Sequence, residues 1–217
     1  MAFLGFDISS YPGDAVMQHL LGSSPYRFCG YYLVAPFHQD GSWRGRWSVL
    51  APMGWGAVVV YVGRQKSSPN LDREHGLKDA ADAVSKATGE GFGAGTVIYL
   101  DVERTVPMTD AMKQYCAAWI DEVTKQGQFL PGVYCSVHNA IDLQAVATAA
   151  APATRVSFWV AGNTTQFALD AEPAASGVAF ADVWQGQLDV PDPFGIVPSK
   201  IDVDIALAAN PSGATLV

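Results

Sequence analysis

The stretch Thr96-Val97-Ile98-Tyr99-Leu100-Asp101-Val102-Glu103 decides the fold class of this 217-residue chain. Alternate side chains of a β-strand point to the same face. One face of the stretch is uniformly apolar and suits packing against helices, whereas the other carries Tyr99, Asp101 and Glu103. Two carboxylates on an inward face are costly to bury unless they have partners or a function. The stretch therefore predicts a buried parallel strand that carries an acidic pair at its carboxyl end.

The same kind of short β-branched and aromatic run recurs along the chain. Alternation of such runs with longer helical patterns is typical of βα units and a parallel sheet. Eight strands are predicted: Phe3–Ile8, Phe28–Val34, Ala57–Val62, Val97–Val102, Gly132–Cys135, Ser157–Ala161, Ala181–Gln185 and Ile201–Ile205.

Helical periodicity fills most of the intervals between these strands. The strongest pattern is Asp110–Gln126, with Thr109 as its N-cap and Gly127 just beyond its end. The intervals after the sixth and seventh strands are short and rich in Gly, Pro and Asp, so loops or distorted helices are expected there. The other predicted helices are Asp14–Leu21, Trp47–Met53, Leu77–Thr88 and Ala140–Ala149.

Eight strands that alternate with helices predict an α/β fold, a single compact (β/α)8 TIM-type barrel over residues 1–217 with degenerate last helices. The competing fold is an open, doubly wound sheet. Such sheets usually carry a phosphate-binding glycine loop after the first strand. The segment Ile8–Pro12 follows the first strand here and is not such a loop. The barrel is therefore preferred.

Acidic residues also stand near the ends of the first and last predicted strands. Asp7 closes the first strand, and Asp202 and Asp204 share one face of the eighth. Since strands one and eight are neighbours in a closed barrel, these three are expected to converge with Asp101 and Glu103 at one mouth. Asp101 and Glu103 have Cα atoms roughly 6–7 Å apart if the strand is extended. Neighbouring carboxylates raise the pKa of one member, which creates the acid and carboxylate pairing that glycoside hydrolysis needs.

Aromatic and amide side chains on the same strands are predicted to bind the substrate. Flat apolar rings suit the faces of sugars. Together with Asp202, the predicted substrate-binding residues are Tyr99, Tyr134, Trp159, Trp184 and Gln185.

Composition excludes several classes of protein. A formal charge of −8, with 13 Lys and Arg residues that are scattered, provides no basic footprint for nucleic acid. No apolar run is long enough to span a membrane, and no signal peptide is evident at the amino terminus. The four histidines show no metal-site spacing, and no cofactor motif is found. Cys29, Cys116 and Cys135 sit in apolar contexts and are expected to be buried thiols.

Short motifs in order along the chain carry a family resemblance. They are Gly5-Phe6-Asp7-Ile8-Ser9, Tyr99-Leu100-Asp101-Val102-Glu103, Gly132-Val133-Tyr134, Phe158-Trp159-Val160-Ala161, Val183-Trp184-Gln185 and Val203-Asp204-Ile205-Ala206. The sequence resembles glycoside hydrolase family 25 muramidases, and still more the bacterial glycoside-hydrolase-like family known as domain of unknown function 1906.

The resemblance implies a βα barrel that acts outside the cytoplasm, or in a phage, on peptidoglycan or a similar N-acetylated glycan. It implies Glu103 as the general acid and Asp101 as the residue that orients the substrate N-acetyl group for attack on the anomeric carbon. Asp7 and Asp204 are implied to tune the charge of the pair and to bind substrate. The loop Ser10–Gly13 departs from the muramidases, which commonly have a His- or Gln-bearing loop there.

Two further interpretations remain open from the sequence. The barrel is compatible with a catalytically silent module that binds glycan through the same groove, since fold does not determine function. A lyase or isomerase acting on a small metabolite, with Asp and Glu as bases, is the weaker alternative, and dependence on a metal would favour it.

Overall fold

The structure, a computed structural model, describes residues 2–102, 107–162 and 167–217. Eight strands form a closed barrel in chain order. They are β1 (Phe3–Asp7), β2 (Tyr26–Tyr32), β3 (Gly56–Val62), β4 (Val97–Asp101), β5 (Leu130–Ser136), β6 (Ser157–Ala161), β7 (Val183–Pro191) and β8 (Lys200–Ala206). The predicted eight-stranded barrel is thereby confirmed.

Over the described residues, five α-helices lie in the connections up to β6, close to the predicted bounds. They are α1 (Asp14–Ser23), α2 (Trp47–Met53), α3 (Arg73–Gly89), α4 (Asp110–Gln126) and α5 (Ala140–Ala150). The predicted caps of α4 are confirmed, because the Thr109 side chain accepts from the Met112 N–H and Gly127 has a left-handed φ of 69°. A short 3₁₀ turn, Pro173–Ser176, precedes β7.

The last strand departs from the expected parallel arrangement. Strands β1 to β7 pair in parallel, whereas β8 runs antiparallel to both β7 and β1. The physical reason is the short connection between β7 and β8. A hairpin of this kind joins antiparallel strands, whereas a parallel pair needs a crossover of a dozen or more residues. The amino end of β8 therefore lies at the carboxyl ends of the other strands, and Asp202 pairs with Asp7.

Two layers of apolar side chains stabilise the barrel, one outside the strands and one inside. Ile98 and Leu100 of β4 lie in the outer layer with the buried face of α4. The inner layer contains Tyr99 together with Tyr134 and Trp159. This alternation confirms the predicted two-residue period of β4. The three cysteines are buried free thiols, and burial raises the pKa of each.

Among the described residues, no helix is both long enough and apolar enough to span a membrane.

Candidate functional site

Asp7 is at the centre of a polar network at the carboxyl end of the barrel. Its side chain is 2% exposed. The Tyr32 hydroxyl donates to Asp7 Oδ1 at 2.5 Å, and the Gln185 amide donates to Oδ2 at 2.7 Å. Gly30 allows this arrangement, since a Cβ at that position would lie 2.5 Å from the Asp7 Cβ.

Gln185 links the carboxylates of the first and last strands. Its Nε2 donates to Asp7 and also to Asp202 Oδ2 at 2.9 Å, and its Oε1 accepts from the Tyr134 hydroxyl at 2.6 Å. Because Tyr134 occupies the amide oxygen, the amide nitrogen is directed at the two carboxylates. Gln185 thus cross-links β1, β5, β7 and β8 at the mouth.

Asp204 lies one residue pair deeper than Asp202, opposite Gly5 of β1. It is fully buried, and its Oδ1 accepts from the Trp159 indole N–H at 2.9 Å. Among the described residues, no hydrogen-bond donor reaches the Oδ2 atom of Asp204. The carboxyl groups of Asp204 and Asp7 also interact with each other, which is favourable only when one of the two carries a proton.

The electrostatics of the pair agree with a shared proton. Burial, and then the charge of Asp202, raises the pKa of Asp7 to about 7. Burial, and then the charge of Asp7, raises the pKa of Asp204 well above its usual range. Desolvation and a like charge both disfavour ionisation of a carboxyl group. Asp7 accepts a hydrogen bond on each of its oxygens, whereas Asp204 accepts one on Oδ1 alone among the described residues, so we expect Asp204 to hold the proton of the pair at neutral pH.

Asp101 ends β4 on the inward face and is 8% exposed. The Gln65 amide donates to its carbonyl oxygen at 3.0 Å and to its Oδ1 at 3.3 Å. Asp101 pairs in register with Tyr134, whose hydroxyl reaches Gln185. Its charge also contributes to raising the pKa of Tyr32. Asp101 is therefore electrostatically joined to the Asp7 network, while Glu103 lies outside the described residues.

The structure does not place all of the predicted aromatic walls at the mouth. Tyr134 and Trp159 face the interior and are buried, so they hold Gln185 and Asp204 in place. Tyr99 precedes Asp101 by two residues on β4, so its side chain lies on the same face but deeper in the barrel, where it is fully buried. Trp184 is adjacent to Gln185 on β7, so its side chain points to the opposite face of the strand and lies in the outer layer. Its indole N–H donates to the Gly162 carbonyl at 3.1 Å.

A cleft of ≈ 270 Å³ opens beside the network. Asp7 and Asp202 line it together with Lys200 and Asp189, which form an ion pair at 2.8 Å. The remaining lining residues are Ile8, Ser9, Tyr32 and Ile201. The two depressions of ≈ 530 and ≈ 460 Å³ lie beside α2 and at the amino ends of β1 and β2, and neither is lined by a predicted site residue.

Sequence reasoning missed two members of the site. Tyr32 ends β2 on the same face as Gly30, so the two-residue period of that strand, read to its end, places it beside Asp7. Gln65 lies three residues after the end of β3, and this position at the carboxyl end of a strand is the only feature of the sequence that indicates a role in the site. Both are neutral residues, which a search for carboxylates passes over.

A family model matches most of the chain, and solved structures share its barrel fold. The family described as "Rv2525c-like, glycoside hydrolase-like domain" matches residues 18–205. No curated protein is significantly similar to the chain in sequence.

Three solved structures illustrate the similarity of fold. An uncharacterized protein of B. stearothermophilus is 19% identical, with a TM-score of 0.72 over 98% of this chain and 100% of its own. The Clostridium perfringens spore cortex lytic enzyme SleM is 15% identical, with a TM-score of 0.67 over 94% of this chain and 67% of its own. A family GH25 lysozyme from Aspergillus fumigatus is 13% identical, with a TM-score of 0.59 over 96% and 95%.

Proposed function

The chain belongs to the family of Rv2525c-like glycoside hydrolase-like domains, and on that basis we propose that it hydrolyses peptidoglycan or a related N-acetylated glycan. The observation that carries the proposal is the position of Asp101, at the carboxyl end of β4 and in register with Tyr134, whose hydroxyl donates to the Gln185 amide that holds Asp7. Active sites of (β/α)8 barrels are built at this end. The lytic enzyme and the lysozyme with the same fold support the choice of substrate class.

In the proposed reaction Glu103 is the general acid and protonates the glycosidic oxygen as the bond breaks. Asp101 orients the substrate N-acetyl group, whose carbonyl oxygen attacks the anomeric carbon in the substrate-assisted variant of retention. Gln65 supports this role by holding the Asp101 side chain from the end of β3. A water molecule then opens the cyclic intermediate and gives its proton back to Glu103.

Asp7, Asp204 and Asp202 set the charge around this pair. The proton held between Asp7 and Asp204 removes one negative charge from the mouth, which limits repulsion of the Asp101 and Glu103 carboxylates. Gln185 and Tyr134 fix the positions of Asp7 and Asp202, and Asp202 lines the cleft where the glycan is proposed to bind. We propose no metal or cofactor, and we propose that the protein acts on the cell wall outside the cytoplasm.

The experiment is release of soluble fragments from purified peptidoglycan, read by mass spectrometry across pH 4 to 8. Wild type is compared with Glu103→Gln and with the matched control Glu74→Gln, an exposed glutamate on α3. Loss of a general acid typically lowers the rate by about 10²–10⁴-fold. We expect new reducing ends from wild type and Glu74→Gln and none from Glu103→Gln.

A catalytically silent glycan-binding module is the second candidate, and one observation favours it. The oxygens of Asp7 and Asp202 already accept hydrogen bonds from protein donors, as structural carboxylates do. The same assay separates the candidates. No release by any of the three proteins, together with co-sedimentation of wild type with peptidoglycan, would exclude the hydrolase and retain the module.

A further inference from the structure

A tight turn at the mouth presents one aromatic side chain to solvent. Ala35 and His38 exchange both backbone hydrogen bonds, at 2.9 and 3.0 Å, around Pro36 and Phe37. Proline at the second position of a turn presets its backbone angle. The Gln39 amide adds a 2.7 Å hydrogen bond to the Ala35 carbonyl. Phe37 is thus held at the tip of a rigid turn.

Phe37 is 40% exposed and is the only exposed aromatic side chain among the described residues. The Arg64 guanidinium lies 5.5 Å from the ring centroid. Arg64 is itself fixed, because it donates to Asp79 at 2.9 Å and to the Pro69 carbonyl at 2.9 Å. One side of the ring is therefore supported by an immobile cation, and the remaining surface is open to a ligand.

The turn is joined to both parts of the candidate site. The His38 ring packs on the Tyr32 ring at 5.0 Å, and Tyr32 donates to Asp7. On the other side, Arg64 precedes Gln65, which holds Asp101. Phe37 therefore lies on the rim of the mouth, between the ends of β2 and β3.

A glycan needs an accessible flat apolar surface, and the predicted walls cannot supply one. Tyr99, Tyr134, Trp159 and Trp184 are all buried. A β-linked gluco-configured pyranose presents a flat C–H face that matches an aromatic ring. We propose that Phe37 is the platform on which one sugar ring of the glycan stacks, a role that rests on the proposed function.

The test is the affinity for purified peptidoglycan, measured by co-sedimentation at a series of polymer concentrations. Four full-length proteins are compared: wild type, Phe37→Ala, Phe37→Trp and Ile141→Ala. Ile141 is a matched control, since it is an exposed apolar residue on α5. Circular dichroism melting verifies that each protein is folded.

We expect Phe37→Ala to bind about three- to tenfold more weakly, the range of one aromatic contact. Phe37→Trp should retain wild-type affinity, and Ile141→Ala should not change it. Equal binding by wild type and Phe37→Ala overturns the platform and leaves the proposed function intact. Absence of binding by folded wild type overturns both.

Discussion

Gln185 is the residue on which the carboxylates of the mouth depend. A single amide nitrogen donates to Asp7 at 2.7 Å and to Asp202 at 2.9 Å, and Tyr134 fixes which end of the amide faces them. Hydrogen bonds to charged acceptors contribute more than those between neutral groups, and losing a donor inside a protein costs the desolvation of the acceptor as well. Gln185, although neutral, therefore stabilises the carboxylates of Asp7 and Asp202.

Substitution of Gln185 by Leu keeps the approximate volume and removes the shared donor. We expect it to lower the free energy of unfolding by about 2–4 kcal/mol, since buried Asp7 loses a charge-assisted hydrogen bond. Urea denaturation followed by circular dichroism measures the change. Gln126→Leu is the control, because Gln126 is exposed on α4 and its amide donates to Glu122 one turn earlier on the same helix. Equal effects of the two substitutions would show that Gln185 has no special role.

At the scale of elements, the close approach of β1 and β2 creates the space that Asp7 occupies. Gly30 faces the interior of the barrel beside Asp7, and a methyl group there would lie 2.5 Å from the Asp7 Cβ and 3.3 Å from its Cα. The second contact is with backbone, which cannot move aside without separating the strands. Glycine is needed at this position for packing, since its φ is not in the left-handed region.

Gly30→Ala should therefore destabilise the protein and displace Asp7 from Tyr32. Overpacking of this kind costs about 1–3 kcal/mol. The control is the same substitution at Gly22 of α1, where an added Cβ meets nothing within 4 Å. Gly22→Ala should stabilise by up to about 1 kcal/mol, because alanine is the better helix former. Thermal melts of the two variants should shift in opposite directions, and a Gly30→Ala protein as stable as wild type would contradict the packing argument.

How far the sequence predicts this architecture differs between the two ends of the chain. The strands and helices up to β6 were predictable because each βα unit has its own periodicity and caps, as Thr109 and Gly127 show for α4. The direction of β8 was not, because the alternation of Val203 and Asp204 is the same in a parallel and an antiparallel strand. The pairing with β7 depends on a hairpin whose only local signal is the Asp- and Pro-rich segment after Gln185.

The acidic residues of the candidate site were predictable from the sequence, because carboxylates at the ends of buried strands are conspicuous. Asp7, Asp202 and Asp204 converge as expected from the closure of the barrel. The aromatic residues were harder to assign, because buried and accessible rings follow the same strand pattern. Trp184 was predicted to line the site but lies in the outer layer, because its side chain points to the face of β7 opposite Gln185. Phe37 was not singled out from the sequence, because its exposure depends on the turn that holds it.

On the scale of the whole molecule, the barrel holds at least one proton that the unfolded chain does not. Aspartates of an unfolded chain titrate near 3.9, whereas burial raises the pKa of Asp7 to about 7 and that of Asp204 well above its usual range. A raised carboxyl pKa means that the folded protein binds more protons than the unfolded chain between these values. The stability from this source is complete at low pH and is lost as the pH rises towards the folded pKa.

We therefore expect the free energy of unfolding to fall between roughly pH 4 and pH 7, by about 1.4 kcal/mol per pH unit for each of the two aspartates that is protonated in the fold. Urea denaturation at four pH values in this window measures the slope. Asp204→Asn replaces the protonated acid with an amide that donates to Asp7 without titrating, so the slope should drop to about half or less. Asp170→Asn, at an exposed aspartate far from the network, should keep the wild-type slope. A wild-type slope in Asp204→Asn would mean that the proton is held elsewhere, and the assignment of the proton to Asp204 would be wrong.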